Sequence, residues 1–540
     1  MSGRGTCALA LLVLALLLGA CSAGGGEDSS NDSAIVAVFS DPAFAGRALS
    51  ETQSLFAASG TTAQAALDPA SADLVVAATA MNDKPASFVT RYWAVAVALP
   101  YQGREITLGV LEQALAGGRR VLVPADPPPP VQAWFPTLQV VVAEPVALAD
   151  IPAALASDTS ALALLPLDAV DVRVRTLAVD GVSLVFGVGD PVAYPLVDRA
   201  YVSRNAGARG GLADQLDVVV PQLAARLGVV APDPIVLRAT GDILPVRCAL
   251  ARMEALGDLT HAFLPLAPWL ADADITAGSL DASLSDANEP FGCTETFSLM
   301  APSAAADGLS RSGFDVITVA TNHVKDCGVS PCGDQAFFDT LENLRSRGIA
   351  PVGGGADLAE ARTPAILTVK GVRFAFLGYD EIAAYYHAEP GVPGTAPLNE
   401  GYLREDIAAA AAQADVVVVM PQWGIEYQTE PTDGQRQLAA AAAEAGAGLV
   451  IGNHPHWVEA AEVIDGVFVA YALGNFVFDQ DWSLETQQGA VLQASFFGAQ
   501  LKGIEYYPVH IYDEHQPRFA DPEEAQQILD RIWNASATLE

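Results

Sequence analysis

Apolar residues come in short unbroken runs along much of this chain, and polar residues collect where those runs stop. Val416-Val417-Val418-Val419-Met420, Leu449-Val450-Ile451 and Val467-Phe468-Val469-Ala470-Tyr471 are apolar throughout. Ile235-Val236-Leu237-Arg238-Ala239-Thr240, Val316-Ile317-Thr318-Val319-Ala320 and Phe374-Ala375-Phe376-Leu377 are nearly so. A strand with one wet face alternates apolar and polar residues, so these runs predict strands covered on both faces. Helices are predicted between them. Thr432-Asp433-Gly434-Gln435 has the form of a capping box before an alanine-rich run that stops at Gly446, and the segment from Asp334 to Arg347 is closed by Gly348. The expected class is α/β, with layered sheets flanked by helices.

A similar pattern in shorter units runs from Ala34 to about Gly228. Strands are expected at Ala34-Ile35-Val36-Ala37-Val38-Phe39, Asp73-Leu74-Val75-Val76-Ala77-Ala78, Val121-Leu122-Val123-Pro124 and Leu138-Gln139-Val140-Val141-Val142, with a helix from Leu212 to Leu227. Pro232 and Pro234 mark a linker. The organisation expected is a smaller α/β domain at 34–228, a linker at 229–234, a second domain at 235–512, and a tail at 513–540 with a solvated helix from Pro522 to Ala535 packing back on the domain. Three stretches of the first domain, Ala163-Leu164-Leu165-Pro166-Leu167-Asp168, Val174 to Val182 and Ala193-Tyr194-Pro195-Leu196, resemble type-II periplasmic binding proteins. That resemblance implies a ligand-binding domain.

Composition narrows the partners. The chain has 540 residues, enough for two or three domains, and 28 basic against 64 acidic residues give a net charge of −36. Such a surface repels nucleic acid and anionic membranes, and a polyanion could approach only through a local cation such as a bound metal. After Arg4, the apolar run from Ala8 to Leu18 is too short to span a bilayer and reads as a signal peptide. Its end, Leu18-Gly19-Ala20-Cys21, resembles the lipobox of bacterial lipoproteins, in which the cysteine carries the lipid; residues 22–33 then form a flexible tether. Residues 1–21 would be lost or lipidated, and the protein is expected outside the cytoplasm, anchored to the bacterial cell membrane. Cys248, Cys293, Cys327 and Cys332 remain in an oxidising compartment as disulfide candidates. Of three pairings, one closing the small loop Cys327–Cys332 is favoured.

The chemistry lies at the strand ends. Gly241-Asp242 follows the first run of the second domain, Thr321-Asn322-His323-Val324-Lys325-Asp326 the next, Pro421-Gln422-Trp423-Gly424 a later one, and Gly452-Asn453-His454-Pro455-His456 leaves Leu449-Val450-Ile451. In layered α/β folds the carboxyl ends of strands meet at one edge, where distant groups converge. An aspartate, an asparagine and two histidines one residue apart are oxygen and imidazole donors for Zn, Mn or Fe.

Together and in order, these segments resemble the CapA-type poly-γ-glutamate capsule-synthesis family, whose fold is related to calcineurin-like metallophosphoesterases. The matching residues are Gly241-Asp242 through Arg247, Ala320-Thr321-Asn322-His323 with Asp326 and Gly328, Gln422-Trp423-Gly424-Ile425-Glu426-Tyr427, Pro431 with Gln435, Gly452 through His456, and Tyr471-Ala472-Leu473-Gly474-Asn475-Phe476-Val477-Phe478. The resemblance implies a metallophosphoesterase-like β-sandwich flanked by helices at 235–512. It implies that Asp242 and His456 hold one divalent metal, that Asn322 and His454 hold a second, and that His323 donates a proton. Arg247 and Glu426 would line the pocket beside Trp423, with Gly474 and Asn475 shaping its rim.

Two departures bear on the second ion. Gln422 stands where the family usually has histidine, and an amide oxygen is a poorer ligand than imidazole. Ser279-Leu280-Asp281 stands for Asn-Leu-Glu, with Asn288-Glu289 as the rival for that role. One ion or two therefore stays open. The expected function is the synthesis, export or anchoring of an anionic exopolymer such as poly-γ-glutamate, beside other capsule-synthesis membrane proteins. The alternatives are a metal-dependent hydrolase or transferase acting on phosphoesters or γ-glutamyl polymer, and a catalytically degenerate scaffold that binds polymer. His261, His387, His510, His515 and the loop carboxylates Asp479 and Asp481 are expected outside the chemistry.

Overall fold

The computed structural model describes residues 35–40, 45–57, 61–77, 87–126, 128–205, 211–227 and 233–539. The signal segment, the Cys21 lipidation position, the tether and most of the linker lie outside the described residues. Among those described, no helix is long and apolar enough to cross a membrane. The chain divides into two compact units, one of Met1–Ala86 with Val202–Leu223 and one of Ser87–Tyr201 with Ala224–Glu540.

In the first unit, Ile35–Ser40 pairs in parallel with Thr62–Ala65 and with Leu74–Ala77, beside the helix Ala45–Phe56. Its core includes Val36, Leu74, Val75 and Val76. In the second, Ser87–Val97 runs antiparallel to Leu162–Pro166 and to Arg175–Val179. Val121–Pro124 lies between Leu162–Pro166 and Glu144–Val146. The strand expected at Leu138–Val142 does not form: Val140 and Val142 are exposed, and the pairing falls on Glu144–Val146. β-Branched side chains favour a strand where a half-buried pleated surface receives them, and none does here.

The rest of the second unit is built on two sheets. Its strands are β1 (Ile235–Ile243), β2 (Ile275–Leu280), β3 (Val316–Thr318), β4 (Ala350–Val352), β5 (Ala365–Val369), β6 (Val372–Asp380), β7 (Val416–Gln422), β8 (Leu449–Ile451), β9 (Ala461–Ile464), β10 (Val467–Ala470), β11 (Asn475–Val477), β12 (Gln488–Phe497), β13 (Gln500–Tyr512) and β14 (Gln516–Phe519). One sheet has the order β4-β3-β2-β1-β12-β13-β14, with β11 beside the end of β1; the other has the order β5-β6-β7-β8-β10-β9. The apolar runs are unbroken because each strand buries both faces. Phe374 and Phe376 of β6, Val416, Val418 and Met420 of β7, and Leu449 and Ile451 of β8 join a core with residues of β1, β2 and β12 from the other sheet. The alternate residues Ala375, Leu377, Val417, Val419 and Val450 pack against the helices α3 (Glu400–Ala411) and α4 (Asp433–Ala445). On the outer face of the first sheet, α1 (Arg247–Leu256) and α2 (Gly333–Arg345) close a third core.

The expected capping box forms at α4, with Thr432 and Gln435 bonded reciprocally and Gly446 left-handed at its end. The C-terminal helix α5 (Pro522–Ser536) is capped by Asp521 and buries Ile528, Ile532 and Ala535. One close approach fixes the site: a Cβ on Gly241 would stand 1.9 Å from the Gly474 carbonyl oxygen, which accepts the Asp242 N–H at 3.0 Å. Only glycine lets β1 and the chain entering β11 meet so tightly.

Candidate functional site

Five strands of the two sheets end at one edge: Asp242 closes β1, Asp281 follows β2, Asn322 and His323 follow β3, Gln422 ends β7, and His454 and His456 follow β8. Asp242 and Asp281 are fully buried, and Asn322, His454 and His456 nearly so. The turn after β8 is strained, with φ of 103° at His454 and 60° at His456, left-handed values that non-glycine residues seldom adopt. Asp242 holds it, Oδ2 accepting the His454 N–H at 3.1 Å. His456 donates from Nδ1 to Asn475 Oδ1 at 2.8 Å, which fixes its ring and leaves the lone pair on Nε2.

Much of this site lacks internal partners. Asp242 Oδ1, both oxygens of Asp281 and His454 Nδ1 are buried without a hydrogen bond. The nearby hydroxyls bond first to other groups, Ser279 Oγ to Gln422 Oε1 at 3.5 Å and Thr321 Oγ1 to the Leu280 carbonyl, and each stands close enough to its carboxyl, Asp242 and Asp281, to offset part of the burial. Burial pushes both carboxyls upward, Asp242 also because of Asp281, and Asp281 reaches about 6. Burial pushes His454 down to about 3 and His456 down to about 4, so both imidazoles are neutral. At His323 burial opposes the charge, but Asp281 and Asp326 outweigh it and raise the group to about 9. His323 Nδ1 donates to Asp326 Oδ2 at 2.7 Å, and Asp326 is fixed in turn by the Leu299 N–H and the Tyr386 hydroxyl.

Orphaned carboxylate oxygens beside neutral imidazoles are a donor set that suits a divalent cation, because a buried unpaired anion costs several kcal/mol. Even so, among the described residues no three His, Cys, Asp or Glu side chains gather into a ligand cluster by themselves. The rest of the donors are amides. Gln422 Nε2 donates to Asn322 Oδ1 at 3.1 Å, tying the substituted position to an expected ligand.

Other expected residues sit differently. Arg247 does not point freely into a pocket: its guanidinium is paired with Asp479, whose Oδ2 also accepts the Cys248 N–H, and it lies over Phe478, which packs on His456. Asp479 is therefore no free loop carboxylate. Trp423 is a core side chain whose Nε1 donates to the Tyr471 carbonyl, and Asn475 is buried behind His456 rather than at a rim. Glu426 is exposed and adds to the field on His323. Glu289 is also exposed, and Asn288 is spent on the Cys327 and Ser330 carbonyls, so of the two rivals Asp281 is the one that stands at the strand ends.

The histidines expected on the surface all have partners. His515 is buried against His261, His387 Nε2 donates to the Asp380 carbonyl, and His510 pairs with Glu524. The cysteines join as Cys248–Cys293 and Cys327–Cys332. Sequence reasoning passed over Asp380, fully buried at the end of β6 in register with Gln422. Its signal was the same as for Asp242, an acid at the end of an apolar run.

Behind the His-Pro-His turn, Glu459 accepts from Gln435 Nε2 at 2.9 Å and leaves Oε1 unpaired; burial pushes its carboxyl up to about 8. A carboxyl raised in the folded state favours folding most below its unfolded value and loses that contribution as pH rises through about 8. The Glu459→Gln variant is expected to gain in melting temperature over the parent progressively from pH 5 to pH 9; a constant gap would show that Glu459 is not held protonated.

Two sheets packed face to face under helices, with acids, amides and imidazoles at one strand-end edge, make this a layered α/β protein with a polar site at the sheet edge. Residues 236–480 match the family model of the bacterial capsule synthesis protein PGA_cap. The PGA biosynthesis protein CapA of Bacillus subtilis (strain 168) is 36% identical over 207 residues, covering 38% of this chain and 53% of that protein. The capsule biosynthesis protein CapA of Bacillus anthracis is 29% identical over 268 residues, covering 48% and 64%. The matches thus span about half to two thirds of these relatives. A 5′-nucleotidase precursor from Thermus thermophilus aligns with a TM-score of 0.32 at 13% identity, over 57% of this chain and 59% of its own.

Proposed function

We propose that this protein, anchored by lipid at Cys21 outside the bacterial cell membrane, acts in the synthesis, export or anchoring of an anionic exopolymer such as poly-γ-glutamate through a divalent metal. The observation that carries the metal is the set of three buried, unpartnered oxygens on Asp242 and Asp281 beside two neutral histidines. Asp242 and His456 would hold the ion, with Asn322 and His454 available to a second. A bound divalent ion supplies Lewis-acid polarisation of a carbonyl or phosphoryl oxygen and lowers the pKa of water. The chain's own groups do the rest. His323, oriented by Asp326, keeps a proton to give to a leaving group, and Asn475 fixes the ring of His456. The polymer's negative charge would be met at this ion, since the surrounding surface carries the opposite preference.

Gln422 supports a second reading, in which one ion grips polymer carboxylates without turnover. Metal content by elemental analysis of the purified protein and of Gln422→His separates them. One equivalent that rises to two in Gln422→His is the expected result and favours the binding scaffold. Two equivalents in the parent favour the hydrolase or transferase, and none in either protein overturns the metal reading.

A further inference from the structure

The Asp326 carboxylate stands between two groups, His323 on one oxygen and the Tyr386 hydroxyl at 3.2 Å on the other. On the tyrosine side opens a cavity of about 570 Å³, walled by Lys325, Asp326, Asp334, Tyr385, Tyr386 and the loop Cys327–Cys332. That is within the size range of small-molecule sites. The loop is pinned: Asn288 Nδ2 donates to the Cys327 and Ser330 carbonyls, and Ser298 Oγ to that of Gly328. Tyr385 is 77% exposed, an unusual position for so large an apolar ring, and it stands edge-on to Tyr386 with centroids 4.5 Å apart.

Charge and donor chemistry restrict the ligand. Lys325, one of four lysines in the chain, is already bonded to Asp334 at 2.9 Å and to the Pro393 carbonyl at 2.6 Å. One ammonium against two carboxylates leaves no positive excess, so the cavity does not suit a phosphate or a polycarboxylate. It offers an exposed aromatic face, a remaining ammonium N–H, an exposed carboxylate and serine hydroxyls, a mixture of donors and acceptors around an apolar platform. A pyranose ring has the complementary form, with an apolar C–H face and an edge of hydroxyls that both donate and accept. We propose that this cavity binds a sugar residue of a neutral oligosaccharide, stacked on Tyr385 and hydrogen-bonded by Asp334 and Lys325. This part of the chain would then bring a glycan beside His323 and Asp326. The binding itself is independent of any metal at the strand ends.

Calorimetric titration of the full chain in mild detergent tests it with a β-1,4-linked N-acetylglucosamine tetramer, maltotetraose and poly-γ-glutamate as separate probes. Saturable binding of either oligosaccharide is expected, weakened about tenfold by Tyr385→Ala, kept in Tyr385→Phe, and unchanged by chelation. Persistence under chelation keeps this result distinct from the metal reading. Binding of neither sugar, sugar binding that is undiminished in Tyr385→Ala, or poly-γ-glutamate as the one probe sensitive to Tyr385 would each overturn the proposal.

Discussion

Asp242→Asn is expected to weaken divalent-metal binding by more than about 100-fold, beyond what the loss of an outer-shell partner costs. The substitution is nearly isosteric, and its carbonyl oxygen can still accept the His454 N–H that holds the strained turn, so the fold should persist. What disappears is the charge on an oxygen that has no partner within the protein. Two buried carboxylates without a cation disfavour the folded state, and a ligand that binds only the folded state stabilises it. The parent should therefore melt higher with added metal than after chelation. Asp242→Asn should melt at one temperature under both conditions, at or above that of the chelated parent. Scanning calorimetry with and without chelator reads both effects. A metal-dependent melting temperature that survives Asp242→Asn would remove Asp242 from the ligand set.

The second large effect concerns stability. Cys248 and Cys293 are 45 residues apart and Cys327 and Cys332 only five. In the chain-entropy treatment, the longer closure is worth about 4 kcal/mol and the shorter about 2 kcal/mol. The longer bridge also sits at a junction. Cys248 follows Arg247 in the first turn of α1, and the loop from Cys293 carries Thr296, whose carbonyl accepts Arg247 Nη1 at 3.2 Å. The double variant Cys248→Ser/Cys293→Ser is expected to lower the melting temperature more than Cys327→Ser/Cys332→Ser, and to loosen the Arg247–Asp479 pair beside Phe478. Thermal melts of the two variants under oxidising conditions make the comparison. Equal losses would mean that loop length does not set the contribution, and no loss from the first would mean that the bridge does not constrain the unfolded chain.

The architecture was legible where strands bury both faces, since a run such as Val416–Met420 leaves no polar position to misread. The capping box at Thr432 and Gln435 was legible because its bonds are local. Leu138–Val142 misled because strand propensity says nothing about whether a covering layer exists. His261 and His515 looked idle because each is the other's partner across 254 residues, whereas His387 and His510 find theirs, Asp380 and Glu524, within fourteen residues through turns that their sequence does not announce. Asp479 was invisible as the partner of Arg247 for the first of these reasons, across 232 residues.

By itself the sequence determined the layered α/β class, the strands whose runs are apolar almost throughout, and the placing of Asp242, Asn322, His323, Gln422, His454 and His456 at strand ends, because period, capping and strand-end position are properties of short segments. Tertiary structure alone decided which of these groups have partners. Asp281 and Asp242 are left with orphaned oxygens, Asn475 is drawn behind His456, Asp380 joins the strand-end acids, and Arg247 is committed to Asp479. Hydrogen-bond satisfaction and burial depend on what packs across the sheets, and that is set by contacts hundreds of residues apart.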